Sequence, residues 1–260
     1  MALVPFASSD FNRAATDVAL TITERTGLQV EVNLVERDAD ALALLCASSG
    51  SDVNIAWVRG ITVVAASAQG CGEPLMIVER GQGADARVGE RVALITGESV
   101  GAASVGDLAE STVCRLGYDD RMTWLVPSLM LQAEGIDPLT ERLTLVDYTN
   151  LDALIAAVET GECDAAGVPE TALDEADAVR VLAESAIIPY SVLVVPPNTP
   201  LDVRRALGEA LVAMAINDDQ ARSLRVLVGQ DALRPASEND LQPLRAFAER
   251  SGLDFAQIGQ

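Results

Sequence analysis

Residues 75–96 read LMIVERGQGADARVGERVALIT. Two apolar runs, Leu75 to Val78 and Arg91 to Thr96, stand on either side of Gly81-Gln82-Gly83, and no helical period separates them. Everywhere before this stretch, strand-like and helix-like runs alternate, the signature of an α/β fold. Leu3 to Phe6 reads as a strand. A helix capped at Ser8-Ser9-Asp10 follows, with Phe11, Ala14, Val18 and Ile22 on one face and Gly27 as its stop. Leu28, Val30, Val32 and Leu34 alternate with polar residues as a half-buried strand. Asp38 to Cys46 is helical, Val53 to Trp57 extended and Ile61 to Ala68 helical.

The alternation resumes after residue 97. Strands are expected at Thr112 to Leu116, Leu143 to Val146, Asp164 to Val168, Val179 to Leu182 and Ser191 to Val195. Helices are expected at Thr123 to Gln132 and Leu151 to Val158, and three more close the chain after Pro196-Pro197. Two successive extended runs at 75–96 suit a chain crossing from one lobe to another. The expected organisation is a clamshell: residues 1–97 plus 192–260 form lobe one, residues 98–191 form lobe two, and a ligand cleft lies between them. The fold class is α/β, each lobe a mostly parallel sheet flanked by helices.

Composition narrows the chemistry. The net charge is −21, and all 18 basic residues are Arg, scattered without forming a stripe. Nucleic acid and anionic membrane surfaces are therefore poor partners. The chain holds neither Lys nor His. That removes Schiff-base chemistry, Ser-His and Cys-His pairs, a P-loop Lys and imidazole metal ligands. The expectation is a binding protein rather than an enzyme, with no cofactor and no metal.

No apolar run approaches the roughly 18 residues of a membrane span, and no basic-then-apolar leader is present. Met1-Ala2-Leu3-Val4-Pro5 runs directly into a strand-like segment. The reading is of an exported protein, periplasmic or extracellular, whose leader has been replaced by a start Met; a cytosolic protein would begin in the same way. Cys46, Cys71, Cys114 and Cys163 stand singly, so they are either four small buried thiols or two bridges. The loop Gly70-Cys71-Gly72 favours bridges. Pairing within lobes gives Cys46 with Cys71 and Cys114 with Cys163, which leaves the crossing between lobes free to move.

Several stretches, taken in order, resemble the phosphonate-binding family of periplasmic receptors that serve ABC importers. Val105-Gly106-Asp107-Leu108 before Thr112 to Leu116 resembles the start of that family's second lobe. Thr123-Trp124-Leu125-Val126-Pro127, with Gly135-Ile136-Asp137 downstream, resembles its ligand-facing helix. Leu151 to Asp164, ending Glu159-Thr160-Gly161-Glu162-Cys163-Asp164-Ala165-Ala166, resembles its helix-turn-strand, and Glu184-Ser185-Ala186-Ile187-Ile188-Pro189 its return strand. The resemblance implies a type II periplasmic-binding-protein fold, monomeric, that captures a small polar ligand and delivers it to a membrane permease. The same module as a ligand-sensing domain of a membrane-anchored receptor, or an enzyme on a related two-lobed fold, are the alternatives. The departures are specific. In place of the family's serine-rich loop, which cradles the phosphonate on backbone N–H groups, stands Asp119-Asp120-Arg121-Met122-Thr123. Asn150 stands for the family's His and Ser191 for its Asp, while Glu170 keeps an acidic position.

Ligands of open α/β sheets bind beyond the carboxyl ends of strands. The chain has only two Trp, three Tyr and four Phe, and Phe6, Trp57, Tyr118, Trp124, Tyr148 and Tyr190 fall at expected strand ends. The expected ligand residues are therefore these six aromatics with Ser8, Ser9, Arg59, Asp120, Arg121, Thr123, Asn150 and Glu170. Any one of them also fits an ordinary role as a core cap, a helix cap or a solvated charge. Aromatic faces beside carboxylates suit an ammonium group, and helix N-termini at Ser8-Ser9-Asp10, Thr123 and Thr149-Asn150 suit an anion. A phosphonate-like or zwitterionic, amine-bearing ligand would use both.

Overall fold

The computed structural model describes residues 1–5, 10–48, 53–139, 142–176 and 178–255; Phe6, Ser8 and Ser9 of the expected ligand loop lie outside them. The first segment alternates Ala2–Leu3 (β1), Phe11–Thr26 (α1), Asn33–Leu34 (β2), Asp38–Cys46 (α2), Ala56–Val58 (β3), Thr62–Ala68 (α3) and Glu73–Glu79 (β4). Gly89–Glu90 (β5) leads into Val92–Gly97 (β6), Thr112–Arg115 (β7), a single π-helical turn at Arg121–Leu125, Val126–Ala133 (α4), Thr144–Asp147 (β8), Leu151–Glu159 (α5), Ala165–Pro169 (β9) and Val179–Glu184 (β10). Ile188–Pro189 (β11) returns to Val192–Val195 (β12), Leu201–Ala215 (α6), Asp218–Val228 (α7), Ala232–Pro235 (β13) and Glu238–Arg250 (α8). No described helix is long and apolar enough to cross a membrane.

Backbone packing separates two units. Of the described residues, one comprises those within 1–89, 189–242 and 254–255, the other those within 90–188 and 243–253. The first unit carries a six-stranded sheet in the order β13-β4-β12-β3-β1-β2 and the second a five-stranded sheet in the order β10-β6-β9-β7-β8. β6, expected at the end of lobe one, is an inner strand of the second sheet. β5 and β11 pair with each other where the chain passes from one unit to the other.

The sheets are mixed, which corrects the expectation of mostly parallel ones. β1 is parallel to β2 and β3, and β7 is parallel to β8 and β9. β12 is antiparallel to both β3 and β4, β13 to β4, and β6 to both β9 and β10. The reason is the path of the chain. β4 runs out towards Val88 and β12 runs in from Tyr190, whose N–H donates to the Val88 carbonyl at 3.0 Å; two segments that leave and enter at one end must pair antiparallel. Periodicity along the chain carries no trace of that constraint.

α1 forms because Ala14, Ala15, Val18 and Ile22 share one buried face. It stops at Gly27, which takes the left-handed φ of 73° and donates to the Thr23 carbonyl. That face packs with Trp57, Leu193, Leu207, Leu211 and Leu224 into the core of the first unit. The core of the second unit centres on Ala93, Ile95, Cys114, Leu154, Val158, Ala166 and Val168. Both expected cysteine pairs are bonded, Cys46 to Cys71 with Cα atoms 4.9 Å apart and Cys114 to Cys163 with Cα atoms 5.9 Å apart, spacings ordinary for native disulfides.

Candidate functional site

β7 places the functional side chains of the second unit by simple alternation. Cys114 points into the core beneath α5, so Arg115, the last residue of the strand, points to the opposite face of the sheet. β8 runs parallel to β7 with Arg115 beside Asp147, and the Arg115 Nε donates to Asp147 Oδ1 at 2.7 Å. The Arg115 side chain is only 12% exposed, against 62% for Asp147.

The π-helical turn supplies the walls. The Arg115 Cζ lies 4.7 Å from the ring centroid of Trp124 and 5.3 Å from that of Tyr118, distances of cation–π contact. Trp124 is 2% exposed and Tyr118 is 55% exposed, so one ring beside the guanidinium is buried and the other meets solvent. Its Nη1 is buried with no hydrogen-bond acceptor among the described residues. A buried donor of this kind is costly to leave unmade, roughly 1–3 kcal/mol.

The turn is held in place from both sides. Thr123 donates its N–H and its hydroxyl to Asp120 Oδ1, each at 2.7 Å, and accepts from the Leu116 N–H at 2.9 Å. The N–H groups of Trp124 and Leu125 donate to the Asp120 carbonyl at 3.1 and 2.9 Å. Beneath it, Gly167 of β9 permits close packing: a Cβ there would collide with the Pro127 ring and stand 3.0 Å from the Met122 carbonyl oxygen. Single π-turns recur at functional sites.

These contacts revise several expectations. Tyr118, Asp120, Arg121, Thr123 and Trp124 do fall together on one loop. The N–H groups expected to greet an anion at Thr123 are engaged by Asp120, so the protein's own carboxylate occupies that helix start. Asn150 likewise caps α5, its Oδ1 accepting from the Ala153 N–H at 2.9 Å. Tyr148 donates its N–H to the Arg115 carbonyl at 2.7 Å, but its ring packs on the α5 core, on the sheet face away from the guanidinium. Glu170 stands exposed just past β9, its N–H bonded to the Arg91 carbonyl.

In the first unit the expected residues that are described, Trp57, Arg59 and Tyr190, are occupied by internal partners. Trp57 is 2% exposed within the core, because the β3 alternation turns it inward. Arg59 pairs with Asp38 at 3.1 Å. The Tyr190 ring carries the Arg80 guanidinium at 4.1 Å. Arg115 itself was not foreseen. The available signal was a charged residue inside Thr112-Val113-Cys114-Arg115-Leu116, a run otherwise apolar enough to be buried, where a charge must find partners.

A family model described as ABC transporter, phosphonate, periplasmic substrate-binding protein matches residues 1–241. No curated protein sequence matches the chain. Among solved structures, a Xanthomonas citri protein with ATP bound aligns over 99% of this chain and 99% of that one, at TM-score 0.67 and 14% identity. The binding-protein component of an ABC phosphonate transporter from Pseudomonas aeruginosa aligns over 99% of this chain and 88% of that one, at TM-score 0.58 and 18% identity. PhnD1 from Prochlorococcus marinus, in complex with methylphosphonate, aligns over 96% and 97%, at TM-score 0.57 and 10% identity. At such identities the likeness is one of fold.

Proposed function

The chain belongs to the phosphonate periplasmic substrate-binding family of ABC transporters, and we propose that it captures a small oxyanion through Arg115. The family's role is to bind solute outside the cytoplasm for an ABC importer, not to catalyse a reaction. The finer reading concerns which end of the ligand this chain holds, and where.

One observation carries it. Arg115 ends a parallel strand, where ligands of open sheets bind, and its Nη1 is buried without an acceptor. An oxygen of a phosphonate, phosphate ester or carboxylate completes that donor with a charge-assisted bond. The alternative ammonium end loses its support. The faces of Tyr118 and Trp124 carry the protein's own guanidinium, and Trp57 lies in the core. Delivery to a membrane permease completes the role that the family implies.

The test is calorimetric titration with methylphosphonate, acetate and a trimethylammonium compound, on the parent protein and on Arg115→Gln. The oxyanions are expected to bind the parent and to lose at least about tenfold in affinity with Arg115→Gln, the loss of roughly 1.4 kcal/mol or more that one charge-assisted bond represents. Tight binding of the ammonium probe, or equal binding of methylphosphonate by both proteins, would sink the assignment.

A further inference from the structure

We infer that the first unit carries a second site, an apolar groove along α6 that takes a single-chain amphiphile with a carboxylate head. The inference is independent of Arg115 and is built from residues of β4, α6 and β13.

The groove has a volume of about 640 Å³ and is lined by Leu75, Met76, Val212, Ala213 and Pro235. Leu201, the first residue of α6, and Ile216, its C-cap, line it as well, and they are 82% and 81% exposed. Large aliphatic side chains left bare along an apolar cleft mark an interaction site. Gly208 lies midway along the same face. Glycine inside a helix is destabilising relative to alanine, and nothing in the fold demands it here. An added Cβ would meet only Met76 Sδ, at 3.5 Å, an ordinary contact. What the missing side chain provides is depth.

The backbone of the groove offers nothing to a polar occupant. Met76 lies between Leu193 of β12 and Pro235 of β13, and the Leu75 carbonyl accepts from the Ala236 N–H at 3.0 Å. An extended peptide would bury N–H and C=O groups without partners; a hydrocarbon chain brings none. A helix would satisfy its own backbone but does not fit. Leu201 to Ile216 spans roughly 22 Å of helix axis, which leaves a section of roughly 30 Å², far below that of a helix 10–12 Å across. A second copy of the chain would bring another net charge of −21 against this one.

Charge places the head. Arg204 lines the groove but is engaged by Glu73 at 2.6 Å and by the carbonyls of Pro196, Pro197 and Thr199. Arg205 beside it is exposed and has no ion pair or hydrogen bond among the described residues. Glu209, one turn further on, lines the groove too and repels an anion from its middle. The carboxylate therefore sits at the Arg205 end, and the chain runs towards Ile216.

The experiment is calorimetric titration with dodecanoate and with dodecyltrimethylammonium, each below its micelle concentration. Dodecanoate should bind the parent protein at least about fivefold more tightly than the cationic probe, the margin of one exposed charge pair. A net charge of −21 favours the opposite order at any non-specific apolar surface. Arg205→Gln should weaken dodecanoate by about the same factor, and Gly208→Leu should abolish its binding by filling the groove. Arg115→Gln should bind it as the parent does. Thermal melts check folding, and Arg205→Gln, at an exposed position, keeps the test open should Gly208→Leu not fold. No binding of dodecanoate by the parent, equal affinity for both probes, or unchanged binding in a folded Gly208→Leu or Arg205→Gln overturns the inference. Loss of dodecanoate binding in Arg115→Gln overturns it by moving the carboxylate to the other site. A parent that sediments as a dimer, dissociated by Gly208→Leu, overturns it by giving the groove to a second copy.

Discussion

The Nε of Arg115 and the Oδ1 of Asp147, 2.7 Å apart, join the last residues of two adjacent parallel strands. One partner is nearly buried and the other mostly exposed. The pair thus fixes the strand ends of the second unit in register while leaving one side of the guanidinium uncommitted. Removing the acid alone should free the cation. Asp147→Asn keeps an acceptor for the Nε but removes the charge opposite a nearly buried guanidinium, so a loss of about 1–3 kcal/mol is expected in a urea titration. A larger loss would mean that the pair is chiefly structural.

Gly167 governs how closely the π-turn approaches β9. Gly167→Ala forces the Cβ into the Pro127 ring and against the Met122 carbonyl. Overpacking of this kind costs about 1–3 kcal/mol, and the displaced turn should carry Trp124 off the guanidinium. The expected outcome is a lower urea midpoint together with weaker methylphosphonate binding. Normal stability in this variant would show that the turn relaxes freely.

The two tryptophans separate by role although both are buried. Trp57→Phe should leave the change in intrinsic fluorescence on methylphosphonate binding in place, and Trp124→Phe should abolish it. Truncation of either to Ala should cost roughly 3–5 kcal/mol. A ligand response that disappears with Trp57 would relocate the site to the first unit.

Acid should loosen the first unit through Asp240. Arg234 forks onto both of its oxygens, at 2.6 and 2.8 Å, and also bonds Glu79 at 2.9 Å, tying β13 to β4 and α8. The hydrogen bonds from Arg234, and secondarily those from Ser237, hold the Asp240 carboxyl far below the ordinary carboxylate range. A folded pKa below the unfolded one gives stability that is fully present above the unfolded value, near 4. It is lost as pH falls from there through the folded value. Asp240→Asn is expected to lower stability by roughly 1–3 kcal/mol near neutral pH and to flatten the acid limb of a stability–pH curve.

Salt should stabilise the protein. With a net charge of −21, exposed carboxylates repel one another in the folded state. Raising ionic strength from about 0.01 M to about 1 M shortens the screening length from about 30 Å to about 3 Å, so the melting temperature should rise with sodium chloride. A melting temperature that falls or stays level would show that the surface charges are already balanced locally.

The sequence made both disulfide pairs and the stops of α1 and α5 legible, because each depends on neighbours a few residues away or on one small choice within a unit. Gly27 ends α1 for a local reason, and Cys114 lies one strand from Cys163. What escaped depends on the chain's path. The antiparallel insertion of β12 follows from where β4 leaves and β12 returns, which no periodicity records. β2 reduces to Asn33 and Leu34 because β1, the strand it pairs with, is itself only two residues long. Aromatics at strand ends were readable as a set, but whether each faces a ligand, the core or an arginine is decided by the alternation of one strand. Arg115 escaped because it lies inside a run read whole as a strand.

The place of β12 has a consequence for how the chain folds as it is made. All five strands of the second sheet lie between Val92 and Glu184, so that sheet can close as soon as this continuous stretch has emerged. The first sheet cannot: β12 fills the slot between β4 and β3, and it arrives only after the whole second sheet. Until then β3 and β4 present unpaired edges, the state in which strands mispair with other chains. The segment made first is thus completed last, and the interval is set by the length of the insertion.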